Sequence, residues 1–224
     1  MTPLPPSPDE ALKIVPPLIQ ASLVQCIRTA YSITEQIAAD FPILNGPLEA
    51  TILGQIRYGL VNNVVAKSVE DGLVMGGANW HPIANGSGFF MEYAFGIARI
   101  TFASSHAMYK CPKKSNFRLS RANENQLSLF PSDVSDKSDE GPALLMLHGY
   151  KSLNFAQLMV PGDRDGTIVG LAWSPNIISP GAEGEGFGDD PTTCPVDPIP
   201  AEPLAEIALR LRSTEIEKLK NSEH

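Results

Sequence analysis

Apolar residues recur along this chain with two different periods, and the change from one to the other divides it. Between residues 16 and 70 the spacing is helical. Leu18, Ala21, Leu23, Val24, Ile27, Ala30, Tyr31, Thr34 and Ile37 line one broad face. They follow Pro16-Pro17, and proline suits a first helical turn because its missing N–H is not needed there. The stretch from Asp40 to Gly46, with Pro42, breaks this helix at about Ala39. From Pro47 to about Glu70, Leu48, Ile52, Ile56, Leu60, Val64 and Val65 repeat the 3.6-residue period, and Leu53 and Val61 widen the stripe. Two such helices joined by a short Pro/Gly loop predict a helical hairpin over residues 16–70.

After Asp71-Gly72 the pattern shortens. Leu73–Met75, Phe89–Ala94, Ile97–Ala103, Ala143–Leu147, Phe155–Val160 and Thr167–Trp173 read as strands, several with apolar–polar alternation. A turn near Phe95-Gly96 joins the second and third, and the six residues Pro161–Gly166 join the last two. With no helix read between them, five or six strands over 72–174 predict an antiparallel sheet, and residues 104–141 contain a long loop. Helices first and strands afterwards make the fold class α+β, a single domain over residues 16–174.

The flanks read differently. Residues 1–15 form a leader, disordered or extended, with Pro3, Pro5, Pro6 and Pro8. Residues 175–203 form an acidic Pro/Gly-rich linker that carries Glu183, Glu185, Asp189, Asp190, Asp197 and Glu202 without any Lys or Arg. Residues 204–224 end the chain with an amphipathic C-terminal helix, Leu204, Ile207, Ala208, Leu211, Ile216 and Leu219 sharing one side.

Composition narrows the function classes. A hydrophobic fraction of 43% over 224 residues suffices for a packed core. The net charge of −8 argues against broad non-specific DNA binding, which rests on neutralising phosphates. Cys26, Cys111 and Cys194 are widely spaced and form no CxxC pair, which fits a reducing compartment. No basic, apolar leader and no membrane-length apolar run stands out, so the expectation is a cytoplasmic protein without a membrane partner.

Candidate catalytic chemistry is sparse. His81, His106, His148 and His224 have no metal-ligand spacing with one another or with cysteine. Asp163-Arg164-Asp165-Gly166 starts like a calcium loop but lacks the later ligands, and a turn explains it better. A metal-dependent nuclease needs carboxylates and a lysine on adjacent strands; Glu92 lies in a strand, but Gly149 stands where a carboxylate should precede Lys151. No glycine-rich loop ends in GKS or GKT. No catalytic, cofactor-binding or metal-binding residue is therefore assigned, and no cofactor is expected.

One short motif stands apart: Gln126-Leu127-Ser128-Leu129-Phe130, followed by Pro131. It resembles the peptide by which bacterial proteins dock onto the DNA-polymerase sliding clamp. The resemblance covers five residues and implies an extended segment whose alternate side chains enter a groove. The Gln126 amide would sit in a polar pocket and Leu127 would cover an apolar rim. Leu129 and Phe130 would fill the deep pocket as hot spots, with Ser128 small enough to face solvent. Pro131 and the polar stretch Ser132–Gly141, with Asp133, Asp136, Asp139 and Glu140, would keep the peptide accessible. Before it, Lys110, Lys113, Lys114, Arg118 and Arg121, with Tyr109 and Phe117, offer either a local nucleic-acid contact or a solvated basic loop.

The reading is a non-enzymatic protein that binds the sliding clamp and inhibits or redirects replication. The layout also resembles toxins of bacterial toxin–antitoxin or phage-defence pairs, which implies an antitoxin or regulator as a second partner. One alternative is a clamp-recruited, metal-dependent nuclease. Another is a regulatory or partner-binding module in which the pentapeptide belongs to the core.

Overall fold

In the computed structural model, which describes residues 7–44, 46, 49–83, 88–113, 115–129 and 141–178, helices and strands follow the division of periods closely. Helix α1 spans Pro8–Lys13, α2 Pro17–Asp40 and α3 Glu49–Glu70, with a 3-10 turn at Pro42–Leu44. The N-terminal pair α2 and α3 packs together, as the hairpin reading expects. No described helix is long and apolar enough to cross a membrane.

Helix α1 falls where a disordered or extended leader was expected. Its start is a capping box: the Ser7 hydroxyl accepts from the Glu10 N–H, and the Ser7 N–H donates to the Glu10 carboxylate at 2.7 Å. Ala11 and Val15 then bury into the core, which a short helix needs to persist.

Helix α3 ends in a Schellman motif. Gly72 takes a φ of 72°, its N–H donates to Val69 at 3.0 Å, and the Leu73 N–H donates to Ser68 at 2.9 Å. This cap explains why Leu73–Met75 is not the first strand. The Leu73 and Val74 N–H groups both end on the Ser68 carbonyl, so neither is free for a ladder.

The strands are β1 (Gly77–Pro82), β2 (Phe89–Phe95), β3 (Ala98–Ser105), β4 (Ala143–Gly149), β5 (Ala156–Arg164) and β6 (Thr167–Trp173). They form one six-stranded sheet in the order β1-β2-β3-β4-β5-β6. Every neighbouring pair is antiparallel except β3 and β4, which run parallel from Arg99 opposite Ala143 to Ser105 opposite Gly149. The wholly antiparallel expectation is thus corrected to a largely antiparallel sheet.

Parallel neighbours cannot be joined by a hairpin; they need a crossover. Helix α4 (Asn116–Leu129) supplies it, where a loop was expected. Its inward stripe explains the error: Arg118, Arg121, Ala122 and Asn125 share one face at helical spacing, and three of the four are polar. A search for apolar periodicity passes over such a helix.

The last hairpin is also tighter than expected. β5 runs on to Arg164, and Asp165-Gly166 alone make the turn, with φ of 53° and 73°. Two left-handed residues match a type I′ turn. Pro161 and Gly162 lie inside β5 beside a register shift at Val160/Pro161, where a bulge tolerates proline.

The sheet is covered on both faces. On one, Met91, Tyr93, Ile100, Phe102, Leu144, Met146, Leu158 and Val160 pack with Leu23, Ile27, Ala30, Val61 and Val65 of α2 and α3. On the other, Ala103, Leu145, Leu147, Phe155, Met159 and Ile168 form a smaller cluster with Leu119 of α4. The predicted C-terminal helix lies outside the described residues.

Asn125 pins α4 to the sheet. Its amide nitrogen donates to the carbonyls of Ala143 and Pro161, and its amide oxygen accepts from the Ala143 N–H, each at 2.8 Å. Truncation leaves these buried backbone groups without partners. Asn125→Ala is expected to destabilise the fold by about 2–4 kcal/mol. The measurement is urea unfolding with an unchanged m-value; a midpoint equal to wild type would show that this side chain does not anchor the helix.

Candidate functional site

The residues singled out by sequence fall at different places on and around α4. Gln126–Leu129 are its last backbone positions, so the described part of the pentapeptide is helical rather than extended. Phe130, Pro131 and residues 132–140 lie outside the described residues, as does Lys114. Lys110 and Lys113 are exposed in the segment after β3. Arg118 and Arg121 are not presented to solvent in the same way. Arg118 donates to the Lys113 carbonyl at 2.9 Å, and burial pushes its guanidinium below its usual range. Arg121 is held in ion pairs.

Those ion pairs fasten α4 to the middle of the sheet. Glu92 on β2 is 5% exposed, and its carboxylate lies 2.7 Å from Nη2 of Arg121. His81 on β1 approaches it from the other side at 3.7 Å. Arg121 also binds Glu124 at 2.8 Å, one turn along the helix, and Arg99 of β3 reaches the same Glu124 oxygen at 3.2 Å. Burial works to raise the Glu124 carboxyl, but the hydrogen bonds and charges of Arg121 and Arg99 outweigh it and hold the group below its ordinary value. Beside this network the rings of His81, Phe90 and Phe117 stack in sequence, with centroids 5.2 and 4.6 Å apart. The Glu92 carboxylate considered for a nuclease is thus engaged by an arginine. Among the described residues no group of three His, Cys, Asp or Glu is placed to hold a metal ion.

A second cluster lies where β3 and β4 end. His148, two positions beyond the core residue Met146, continues its face of β4 and is 1% exposed. Its Nδ1 is 2.7 Å from the hydroxyl of Tyr31 on α2, and that hydroxyl also donates to the Gly149 carbonyl. Arg57 of α3 sits over the Tyr31 ring, 4.7 Å from its centroid, and donates to the Tyr150 carbonyl. Burial pushes the His148 imidazole down to about 4; the hydrogen bond to Gly149 opposes this, and the charges of Arg57 and Arg118 add to it. Burial likewise raises the Tyr31 hydroxyl above its usual range, offset in part by Arg57. Tyr31 also lines a cleft of about 200 Å³ with Arg28, Ser32, Glu35 and Leu153.

Sequence reasoning placed Tyr31 on an apolar helical face and His148 at a strand end, but joined neither to the other. The available signal was register: both are polar atoms carried at core-facing positions. The chain matches no family model, no curated protein and no solved structure.

Two outcomes follow from the two clusters. Arg121→Met strands the buried Glu92 carboxylate and is expected to cost about 3–5 kcal/mol, most of it recovered in the double variant Arg121→Met with Glu92→Leu. Chemical denaturation of the single and double variants checks this, and a double variant no more stable than the single one would contradict it. His148 has an ordinary value of 6.5 and about 4 when folded, so the unfolded chain takes up the proton first. Its contribution is fully present above pH 6.5 and is lost as pH falls toward 4, at most about 3 kcal/mol. Glu124, whose value is lowered from 4.5, adds its own loss as pH falls below 4.5. Melting curves between these limits should slope for wild type and flatten for His148→Gln.

Proposed function

We propose that this chain docks onto a bacterial DNA-polymerase sliding clamp through Gln126–Phe130 and, by occupying the groove that polymerases use, inhibits or redirects replication. The observation that carries the reading is the match at all five positions. Its placement in the fold supports it: the pentapeptide begins at the residue after Asn125, whose side chain pins α4 to the sheet. Helix ends open at low cost, so residues 126–129 can leave the last turn and extend while Arg121, Ala122 and Asn125 stay in place. Burying Leu129 and Phe130 in apolar pockets contributes roughly 1.5–3 kcal/mol each. After ordering costs, an affinity of about 1 μM is expected.

An acidic chain of net charge −8 suits docking onto the clamp protein better than broad adhesion to DNA. In this reading the protein acts by occupancy, as a growth-inhibiting toxin would, with an antitoxin or regulator as its antagonist. The nuclease alternative draws no support from Glu92, whose carboxylate is paired with Arg121.

Titration of the full chain against purified bacterial sliding clamp by calorimetry tests the proposal. Saturable binding is expected, weakened by about tenfold or more in the double variant Leu129→Ala with Phe130→Ala. Circular dichroism should show the variant folded. No binding by wild type, or binding indifferent to the double substitution, would sink the idea.

A further inference from the structure

We propose that the segments following β3 and β4 form a binding surface for single-stranded DNA, with His106 and Tyr109 stacking on unpaired bases and Lys110, Lys113 and Lys151 meeting the phosphates. The surface stands on its own geometry; only the choice of DNA over RNA rests on the clamp reading.

β3 and β4 end side by side, Ser105 opposite Gly149, so residues 106–113 and 150–154 emerge at one end of the sheet. They touch there: the rings of His106 and Tyr150 lie 4.4 Å apart between centroids. The first segment then reaches β5 and β6. Sγ of Cys111 is 4.0 Å from Sδ of Met159, and the Tyr109 ring meets Trp173 edge-on with centroids 5.8 Å apart. The buried Ser105 hydroxyl lies within hydrogen-bond distance of the Ala107 and Lys110 carbonyls, at 3.1 and 2.8 Å. Arg118 donates to the Lys113 carbonyl at 2.9 Å. The backbone of the segment is thus tied down, while His106, Tyr109, Lys110, Lys113 and, in the second segment, Lys151 are exposed.

Each exposed ring is backed by a half-buried one, His106 by Tyr150 and Tyr109 by Trp173. Rings held in this way lose little freedom when a base stacks on them. Tyr109 carries a second signal. Its φ is 56°, in the left-handed region that glycine and asparagine enter far more easily than a bulky side chain. The residue is nevertheless 50% exposed, so burial gives back only part of what the backbone costs. An aromatic ring kept at such a position serves the surface better than it serves the core.

Charge selects the partner. From Tyr93 to Asn123 and from Gly141 to Gly162 the chain has no aspartate or glutamate, although the whole protein carries −8. Among the described residues Lys110, Lys113 and Lys151 are in no ion pair, whereas Lys67 is held by Glu70 and Asp71. Glu35 of α2, which shares a cleft with Leu153, bounds the surface on that flank. The basic run read from sequence is therefore redrawn: Arg118 and Arg121 are engaged within the fold, and Lys151 joins the exposed lysines. Free ammonium groups beside exposed rings suit a single strand, whose phosphates meet the one and whose bases meet the other. A duplex keeps its base faces stacked inside and offers the rings nothing.

The test is fluorescence anisotropy of a labelled thymidine oligonucleotide titrated with the full chain, with no clamp present. Saturable binding is expected at low salt. Three phosphate contacts give a log–log salt slope of about −2, so affinity should fall by about 20-fold between roughly 50 and 200 mM salt. Tyr109→Gly, which also relieves the backbone, should weaken binding by about fivefold or more. Lys110→Gln with Lys151→Gln should weaken it too and flatten the slope to about −0.7, while Lys13→Gln, exposed on α1, changes neither. Circular dichroism checks that the variants fold. Should they not, NMR titration of the wild-type chain decides: shifts concentrated in residues 106–113 and 150–151 support the surface, and shifts elsewhere overturn it. Absence of saturable binding at low salt, or affinity indifferent to the substitutions, also overturns it. Equal affinity for a duplex overturns the stacking role, and equal or tighter binding of the matching uridine oligonucleotide overturns the DNA assignment. Failure here leaves clamp binding untouched, and failure of clamp binding leaves the surface standing.

Discussion

The parallel pairing of β3 with β4 is the constraint on which the rest of this fold depends. Arg99–Ser105 lie beside Ala143–Gly149 in the same direction, so the chain must cross back over the sheet between them. The returning segment has to cover the face that α2 and α3 leave open. Helix α4 does this with a polar inner stripe, which places Arg121 over Glu92 and Asn125 over the start of β4. The apolar cluster beneath it is correspondingly smaller than the one on the opposite face. One face of the sheet is therefore held mainly by apolar burial, the other in larger part by directional bonds.

Directional bonds have a different consequence from apolar contacts. Each partner must sit within a few tenths of an ångström, so the network sets the register of α4 as well as its attachment. Arg121 bridges Glu92 on the sheet and Glu124 on its own helix, while Arg99 from β3 meets the same Glu124. A slide of α4 by one residue would break both ion pairs to the sheet, Arg121 with Glu92 and Arg99 with Glu124. A buried ion-pair network contributes little net stability over an apolar replacement, and its value here lies in fixing one arrangement.

How much of this was legible in the sequence depends on the kind of signal each element carries. α2 shows strong apolar periodicity, α3 is a long run rich in apolar residues between a Pro/Gly break and Asp71-Gly72, and Thr167–Trp173 is bounded by turn residues, so these were readable. α1 was hidden by its prolines, although Ser7 and Glu10 already had capping-box spacing. β1 is half-exposed or exposed at every position, so it has no alternation to detect. α4 fails the apolar test because its buried stripe is polar. Glu92 was visible as a carboxylate in a strand and Arg121 as part of a basic run, but their pairing follows from the parallel crossover, which local pattern does not encode. Tyr31 and His148 are 117 positions apart, and only tertiary structure brings them together.

α4 also carries the start of the proposed docking segment, and its attachment bounds how much of the helix that proposal asks to move. Its 14 residues span roughly 20 Å, with Arg118 in the first turn and the pentapeptide beginning in the last. Between Arg118 and Gln126 the helix is held by Arg121, by the buried Ala122 and by the hydrogen bonds of Asn125. In the proposed docking, extension of the last turn would leave these contacts in place. The polar stripe that made α4 hard to read thus also fixes the helix upstream of the proposed docking segment.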